Sequence, residues 1–375
     1  MAQLPVDDIE RLRQRRSVKW RAHDRDALPL PVAEMDFQLA PPIRRELHAA
    51  VDRSDTGYAY AGTDLTDALT GFAKRRWDWT IAPDSVTVVA DVGVGCVELI
   101  RMLCKPGDGV VVNPPVYAPF FEWIAETGRQ VVEAPLDGGL RLDLDALEAA
   151  FAKRPAVYLL CNPHNPVGRV HTPEELAAVV RLAAQYDVRV ISDEVHAPLV
   201  LPGAAHTPLL TVPGADDVAI ALVAASKAWN LAGLKCAQIV TASSEMRSVT
   251  DRLPVNVRYR VGHFGVIASV AAYTEGEAWL DDLLETLDAR RDLLGRLLAE
   301  SMPEVRWQRP DATYLGWLDC RAIGPDAEPY EKFLAAGVVT DPGPKFGTGG
   351  GGHVRLNLAT SEEILTEAVE RMSAA

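Results

Sequence analysis

Short apolar runs rich in β-branched residues alternate with helical patterns through the middle of the chain. Val86–Ala90, Val110–Asn113, Gln130–Ala134, Val157–Cys161, Val188–Ser192, Val218–Ala225 and Ala237–Ala242 read as strands. Their apolar character is nearly continuous, as expected of strands covered on both faces by crossover helices. Between them, Gly95–Leu103, Pro119–Thr127, Leu144–Ala152 and Pro173–Gln185 read as helices. The last has a strong start signal: Thr172 at the N-cap, Pro173 at the first helical position and Glu175 three residues after the cap. Strand and helix in alternation predict an α/β fold whose mostly parallel, seven-stranded sheet is flanked by helices.

Beyond residue 265 the pattern changes. Val266 to about Ala299 predicts one long helix, followed by an α+β segment with strands near Tyr314–Asp319 and His353–Asn357. The segment before residue 46 is Pro-rich and irregular, and is expected to pack with the C-terminal part. Two domains follow: a large one over 46–265, and a smaller α+β one made from 1–45 and 266–375. A ligand is expected where the carboxyl ends of the strands meet the smaller domain.

Composition narrows the function. With 375 residues, 48% of them hydrophobic, the chain can bury a large core. A net charge of −14 argues against a nucleic-acid or anionic-membrane partner. The basic cluster Arg11–Arg16 is short and reads as a solvated helix end. Cys96, Cys104, Cys161, Cys236 and Cys320 are scattered and odd in number, with no C-x-x-C spacing. Buried free thiols in a cytoplasmic protein are the expectation. The first residues lack a signal-peptide pattern, and no apolar stretch approaches membrane-spanning length.

Three strands end in polar residues that the fold does not require. Val157–Cys161 runs into Asn162-Pro-His-Asn-Pro-Val-Gly168, which is also plain turn chemistry. Val188–Ser192 runs into Asp193, a carboxylate that must either meet a cation or cap a neighbour. Val218–Ala225 runs into Ser226-Lys227, an amine at the edge of a low-dielectric interior, with the cation Lys235 eight residues on. Asp193-Glu-Val-His196 invites a metal reading, but it lacks two histidines at helical spacing, and none is assigned. Asp91-Val-Gly-Val-Gly95 lies between a strand and a helix. Glu98 stands where a dinucleotide fingerprint has its third glycine, so the turn suits a phosphate rather than a dinucleotide specifically. Lysine, phosphate turn, buried carboxylate and stacking aromatic together describe a site for pyridoxal 5′-phosphate.

These residues also carry a family resemblance. Ser17–Trp20, Val32–Phe37, Pro115-Val-Tyr-Ala-Pro-Phe120, Cys161–Gly168, Ser192–His196, Ser226-Lys-Ala-Trp-Asn-Leu-Ala-Gly233 and Val354-Arg-Leu-Asn357 resemble motifs of fold-type I pyridoxal-phosphate enzymes. The resemblance is to the class I/II aminotransferase superfamily, within it to the cystathionine β-lyase (C–S lyase) branch typified by MalY and PatB. It implies an aspartate-aminotransferase-like fold and a homodimer. By the resemblance, Lys227 is the Schiff-base lysine and proton-moving group, and Asp193 partners the pyridine nitrogen. Asn165, helped by His196, contacts the phenolic oxygen, and Tyr117 stacks on the ring. The Val92 and Gly93 backbone holds the phosphate, with Ser226 and Lys235 nearby. Arg355 clamps the substrate carboxylate, assisted by the Ala33 backbone, and Tyr58 reaches the neighbouring subunit's phosphate.

The implied reaction is α,β-elimination from an S-substituted L-cysteine such as cystathionine, giving a thiol, pyruvate and ammonia. The alternatives are an aminotransferase, a decarboxylation-linked oxidative deaminase and a regulatory binding protein. The chain departs from the family at three places: Pro31 replaces a tryptophan, Ala224 a serine, and Asp91 a glycine. The Asp91 carboxylate is expected to point away from the phosphate turn. Trp229, Phe37, Tyr60 and Arg258–Arg260 are candidates to border the substrate.

Overall fold

The computed structural model describes residues 4–323 and 328–375. Its strands are β1 (Leu28–Pro29), β2 (Val86–Val89), β3 (Gly109–Val112), β4 (Gln130–Glu133), β5 (Val157–Cys161), β6 (Arg189–Asp193) and β7 (Ala219–Val223). They continue with β8 (Ala237–Val240), β9 (Arg306–Trp307), β10 (Leu315–Asp319), β11 (Val338–Val339), β12 (Asp341–Pro342) and β13 (His353–Asn357). The large sheet has seven strands in the order β2-β8-β7-β6-β5-β3-β4. Only β8 runs against its neighbours. All seven strands read from the apolar runs are present, and the mostly parallel α/β fold is as expected. In β5 and β7 every residue is buried, which accounts for the continuous apolar runs.

The helix Pro173–Tyr186 starts with a complete capping box between Thr172 and Glu175. The helix Val92–Leu103 starts three residues earlier than its apolar pattern suggests, because Asp91 caps it by accepting from the Val94 N–H at 2.7 Å. Gly95 lets this helix lie close on the sheet: a Cβ there would meet Leu222 at 2.4 Å.

The long C-terminal helix is interrupted. Two helices, His263–Glu275 and Glu277–Ser301, are separated at Gly276. The Gly276 carbonyl accepts the Trp229 indole N–H at 3.1 Å, and a Cβ at Gly276 would lie 2.7 Å from the same indole nitrogen. Tertiary contact thus breaks a pattern whose periodicity alone continues.

The N-terminal segment is more ordered than its prolines suggest. It holds the helices Ile9–Leu12, Val18–Arg21 and Pro41–Asp52. Its strand β1 pairs in parallel with β11, so it joins the C-terminal part as expected. A second sheet, β12-β13-β10-β9, is antiparallel throughout. All five cysteines are buried and free. No helix among the described residues is long and apolar enough to cross a membrane.

Candidate active site

Strand register brings the polar strand ends together. Cys161 pairs with Asp193 across β5 and β6, and Asp193 with Leu222 across β6 and β7. The three parallel strands therefore deliver the Asn162–Gly168 loop, Asp193–His196 and the Ala224–Asn230 turn to one edge. β7 ends at Val223, so Lys227 lies in that turn rather than at the strand mouth.

A cavity of about 770 Å³ opens there. Lys227, Asp193, Asn165, His196, Tyr117 and Ala33 line it. Val92, Gly93, Ser226 and Lys235 line it toward the helix Val92–Leu103. Arg355 does not line the cavity. It sits behind Asn165, donating Nη1–H to Asn165 Oδ1 at 2.9 Å. Tyr58 is also outside, 86% exposed and in edge contact with Tyr259 at 6.0 Å between ring centroids. Of the candidate bordering residues, only Arg260 reaches the cavity. Trp229 is fully buried against Phe72 and Tyr273, Phe37 is buried, and Tyr60 is exposed.

The Lys227 amine donates to the Ala33 carbonyl at 3.1 Å. Burial pushes it down to about 8, and Arg355 pushes the same way more strongly than Lys235 does. Burial likewise pushes the Asp193 carboxyl up to about 7, against the Val195 N–H at 3.1 Å and nearby Lys227. Asp193 makes no ion pair with a protein cation among the described residues, so Lys227 acts on its buried carboxylate only from beyond contact. His196 is pushed down to about 3 by burial, then by Lys227 and Arg355. It is neutral at physiological pH, with Nδ1 buried and unpartnered among the described residues. Burial pushes the Tyr117 hydroxyl up to about 12, and its ring meets Phe120 and Trp123 edge-on.

At the helix end the Asp91 carboxylate does not point away. One oxygen caps Val94 and the other pairs with Lys235 at 2.9 Å, so it folds over the turn. Gly93 lets Trp123 pack closely on the turn, since a Cβ there would meet the indole ring at 2.7 Å.

Three residues that sequence reasoning left without a role hold the Pro31–Phe37 segment against the site. Tyr314 donates its hydroxyl to the Ala33 carbonyl at 2.9 Å, beside Lys227. Asn230 brackets Met35, accepting from its N–H and donating to its carbonyl, both at 2.9 Å. Asn357 donates to the Val32 and Glu34 carbonyls at 2.7 and 2.6 Å. Asn230 and Asn357 stood inside recognisable motifs, but their partners are nearly 200 and more than 300 residues away, and no local signal names them.

The chain belongs to the aminotransferase class I and II family, whose model matches residues 27–372. A Mycobacterium leprae protein is 48% identical across 98% of this chain and 96% of its own length. The cystathionine β-lyase of Corynebacterium glutamicum is 38% identical, with 98% of each chain covered. The crystal structure of Treponema denticola cystalysin, which contains a pyridoxal 5′-phosphate cofactor, superposes with a TM-score of 0.92 at 29% identity. That match covers 100% of this chain and 98% of the other.

Proposed function

We propose that the chain is a pyridoxal 5′-phosphate-dependent carbon–sulfur lyase, eliminating a thiol from an S-substituted L-cysteine and leaving pyruvate and ammonia. The observation that carries this reading is the presence in one cavity of an amine shifted to about 8 and a buried carboxylate that makes no ion pair among the described residues. The residues present fit the cofactor. Asp193 lines the cavity without an ion pair among the described residues, as suits the partner of a cationic ring nitrogen, and the Gly93 turn offers backbone N–H groups at a helix start. When bound, the cofactor supplies an electron sink for charge developing at the substrate Cα.

Each side chain then has a task. Lys227 holds the cofactor and moves the Cα proton as general base, for which a pKa near the working pH is suited. Asp193 keeps the ring nitrogen protonated. Asn165 and His196 would hold the phenolic oxygen, and Tyr117 would pack against the ring. Val92, Gly93, Ser226 and Lys235 hold the phosphate, so Lys235 must share itself between the phosphate and Asp91. Arg355 takes the α-carboxylate beside the Ala33 backbone. In this reading 46–265 is the cofactor-holding domain, and 1–45 with 266–375 bears the carboxylate site. The protein acts as a homodimer in which Tyr58 reaches the neighbouring site. Its exposure alongside Tyr60 and Tyr259 supports that placement.

The names of the relatives favour elimination over transamination. The test is turnover of an S-alkyl cysteine without added 2-oxo acid. Stoichiometric thiol and pyruvate are expected; turnover that requires a 2-oxo acid and releases no thiol would overturn the lyase reading.

A further inference from the structure

Arg355 is the most heavily engaged side chain near the cavity. It is only 5% exposed. Its Nη2 donates to the Pro31 carbonyl at 3.1 Å and also to the Asp341 carboxylate. Its Nη1 donates to Asn165, and its guanidinium lies 5.0 Å over the Phe346 ring. Among the described residues only Nε is buried without a partner. Asp341 comes from β12, directly across from Arg355 in the antiparallel ladder with β13. The second Asp341 oxygen pairs with Lys345, itself partly open to solvent.

Resting on the reading of Arg355 as the α-carboxylate clamp, we infer that Asp341 is a built-in competitor for the substrate carboxylate, and that Lys345 sets the strength of the competition. Both hydrogens of Nη2 are already committed, so a ligand carboxylate gains a two-point grip on Arg355 only by displacing Asp341 or the Pro31 carbonyl, and of the two Asp341 is the movable side chain. Orientation does not depend on Asp341. The Pro31 carbonyl, Asn165 and the Phe346 face still hold the guanidinium without it. Lys345 gives the displaced carboxylate somewhere to go, and its charge offsets the second anion that a bound substrate brings to Arg355.

The arrangement discriminates between ligands. A carboxylate without an amine has only Arg355 to bind and meets the full competition. An amino acid also engages the Lys227 side of the cavity. Pyruvate, the product of the proposed reaction, belongs to the first class, so Asp341 favours its departure.

The test is calorimetric titration of propionate into the cofactor-loaded protein, alongside inhibition of thiol release by propionate and pyruvate. Asp341→Asn keeps the shape but loses the charge that makes the contact strong. It is expected to tighten propionate and pyruvate binding at least about fivefold, and to lower KM. Lys345→Gln concentrates the Asp341 charge on Arg355 and is expected to weaken both ligands several-fold. This exposed substitution keeps the inference testable if Asp341→Asn folds poorly. Arg355→Leu is expected to abolish propionate binding. If it does so while Asp341→Asn leaves affinity unchanged or weakens it, the competitor role is overturned and the clamp stands. If Arg355→Leu leaves propionate binding intact, the clamp reading itself falls.

Discussion

Asp193 and Arg355 are both buried ionisable groups within reach of Lys227, yet they are in opposite states. Asp193 has one backbone donor, no ion pair among the described residues, and a carboxyl raised to about 7. Arg355 has a carboxylate, a carbonyl and an amide already in place. A buried charge without a partner is costly, and removing a partner from a buried pair costs more than never having had one. The Asp193 side of the cavity is therefore built around something the chain does not encode. The Arg355 side already holds an anion of its own, and a ligand that grips Nη2 must exchange with a resident group. In the proposed reading, one half of the site is matched to a cofactor, and the other exchanges one carboxylate for another.

The sharpest way to break this contrast is at Lys227. Lys227→Ala is expected to lower turnover by on the order of 10³-fold or more, since it removes both the attachment and the proton-moving group. Thiol release measures it, and near-normal activity would remove the amine from the chemistry. Asp193→Asn should cost on the order of 10²-fold in kcat, with weaker cofactor retention after dialysis, because the carboxylate that holds a cationic ring nitrogen is gone. Retention equal to the parent protein's would mean that Asp193 satisfies itself elsewhere.

A pH series probes the same pair. In the cofactor-free protein, the rate at which Lys227 captures an aldehyde should rise as pH passes through about 8 and level off above it, since burial stabilises the neutral, nucleophilic amine. A midpoint near 10.5 would place the amine in water.

The smallest effect is expected at Asp91. Asp91→Gly removes a helix cap, costing only about 0.3 kcal/mol of stability because glycine is itself tolerated at the cap, and frees Lys235 from its carboxylate. Cofactor affinity measured by equilibrium dialysis should rise several-fold while Tm falls. A loss of affinity would show that the carboxylate helps to order the turn.

The periodicity of the large sheet was almost fully legible, because β-branched runs and capping residues act locally. Thr172 and Glu175 announce a helix start within four residues. The polar strand ends were legible for the same reason: Asn165, Asp193 and Lys227 each follow an apolar run that parallel register carries to one edge. What escaped was set by contacts distant in sequence. Nothing around Gly276 says that Trp229 will approach it, so the helix read as continuous. Tyr314 and Asp341 carry no motif, and their roles exist only because β10, β12 and β13 lie against the Pro31–Phe37 segment. Asp91 was noticed as a departure, but its side chain was assigned the wrong direction. The helix N-terminus and Lys235 attract it more strongly than solvent does.

The contact between the Trp229 indole and the Gly276 carbonyl has a mechanical consequence. Trp229 lies two residues beyond Lys227 in the same turn, is fully buried, and is bonded to the joint between two helices that together run from His263 to Ser301. One buried hydrogen bond thus ties the turn that carries Lys227 to the joint between these two helices, fixing the amine's backbone to an element outside the cavity lining.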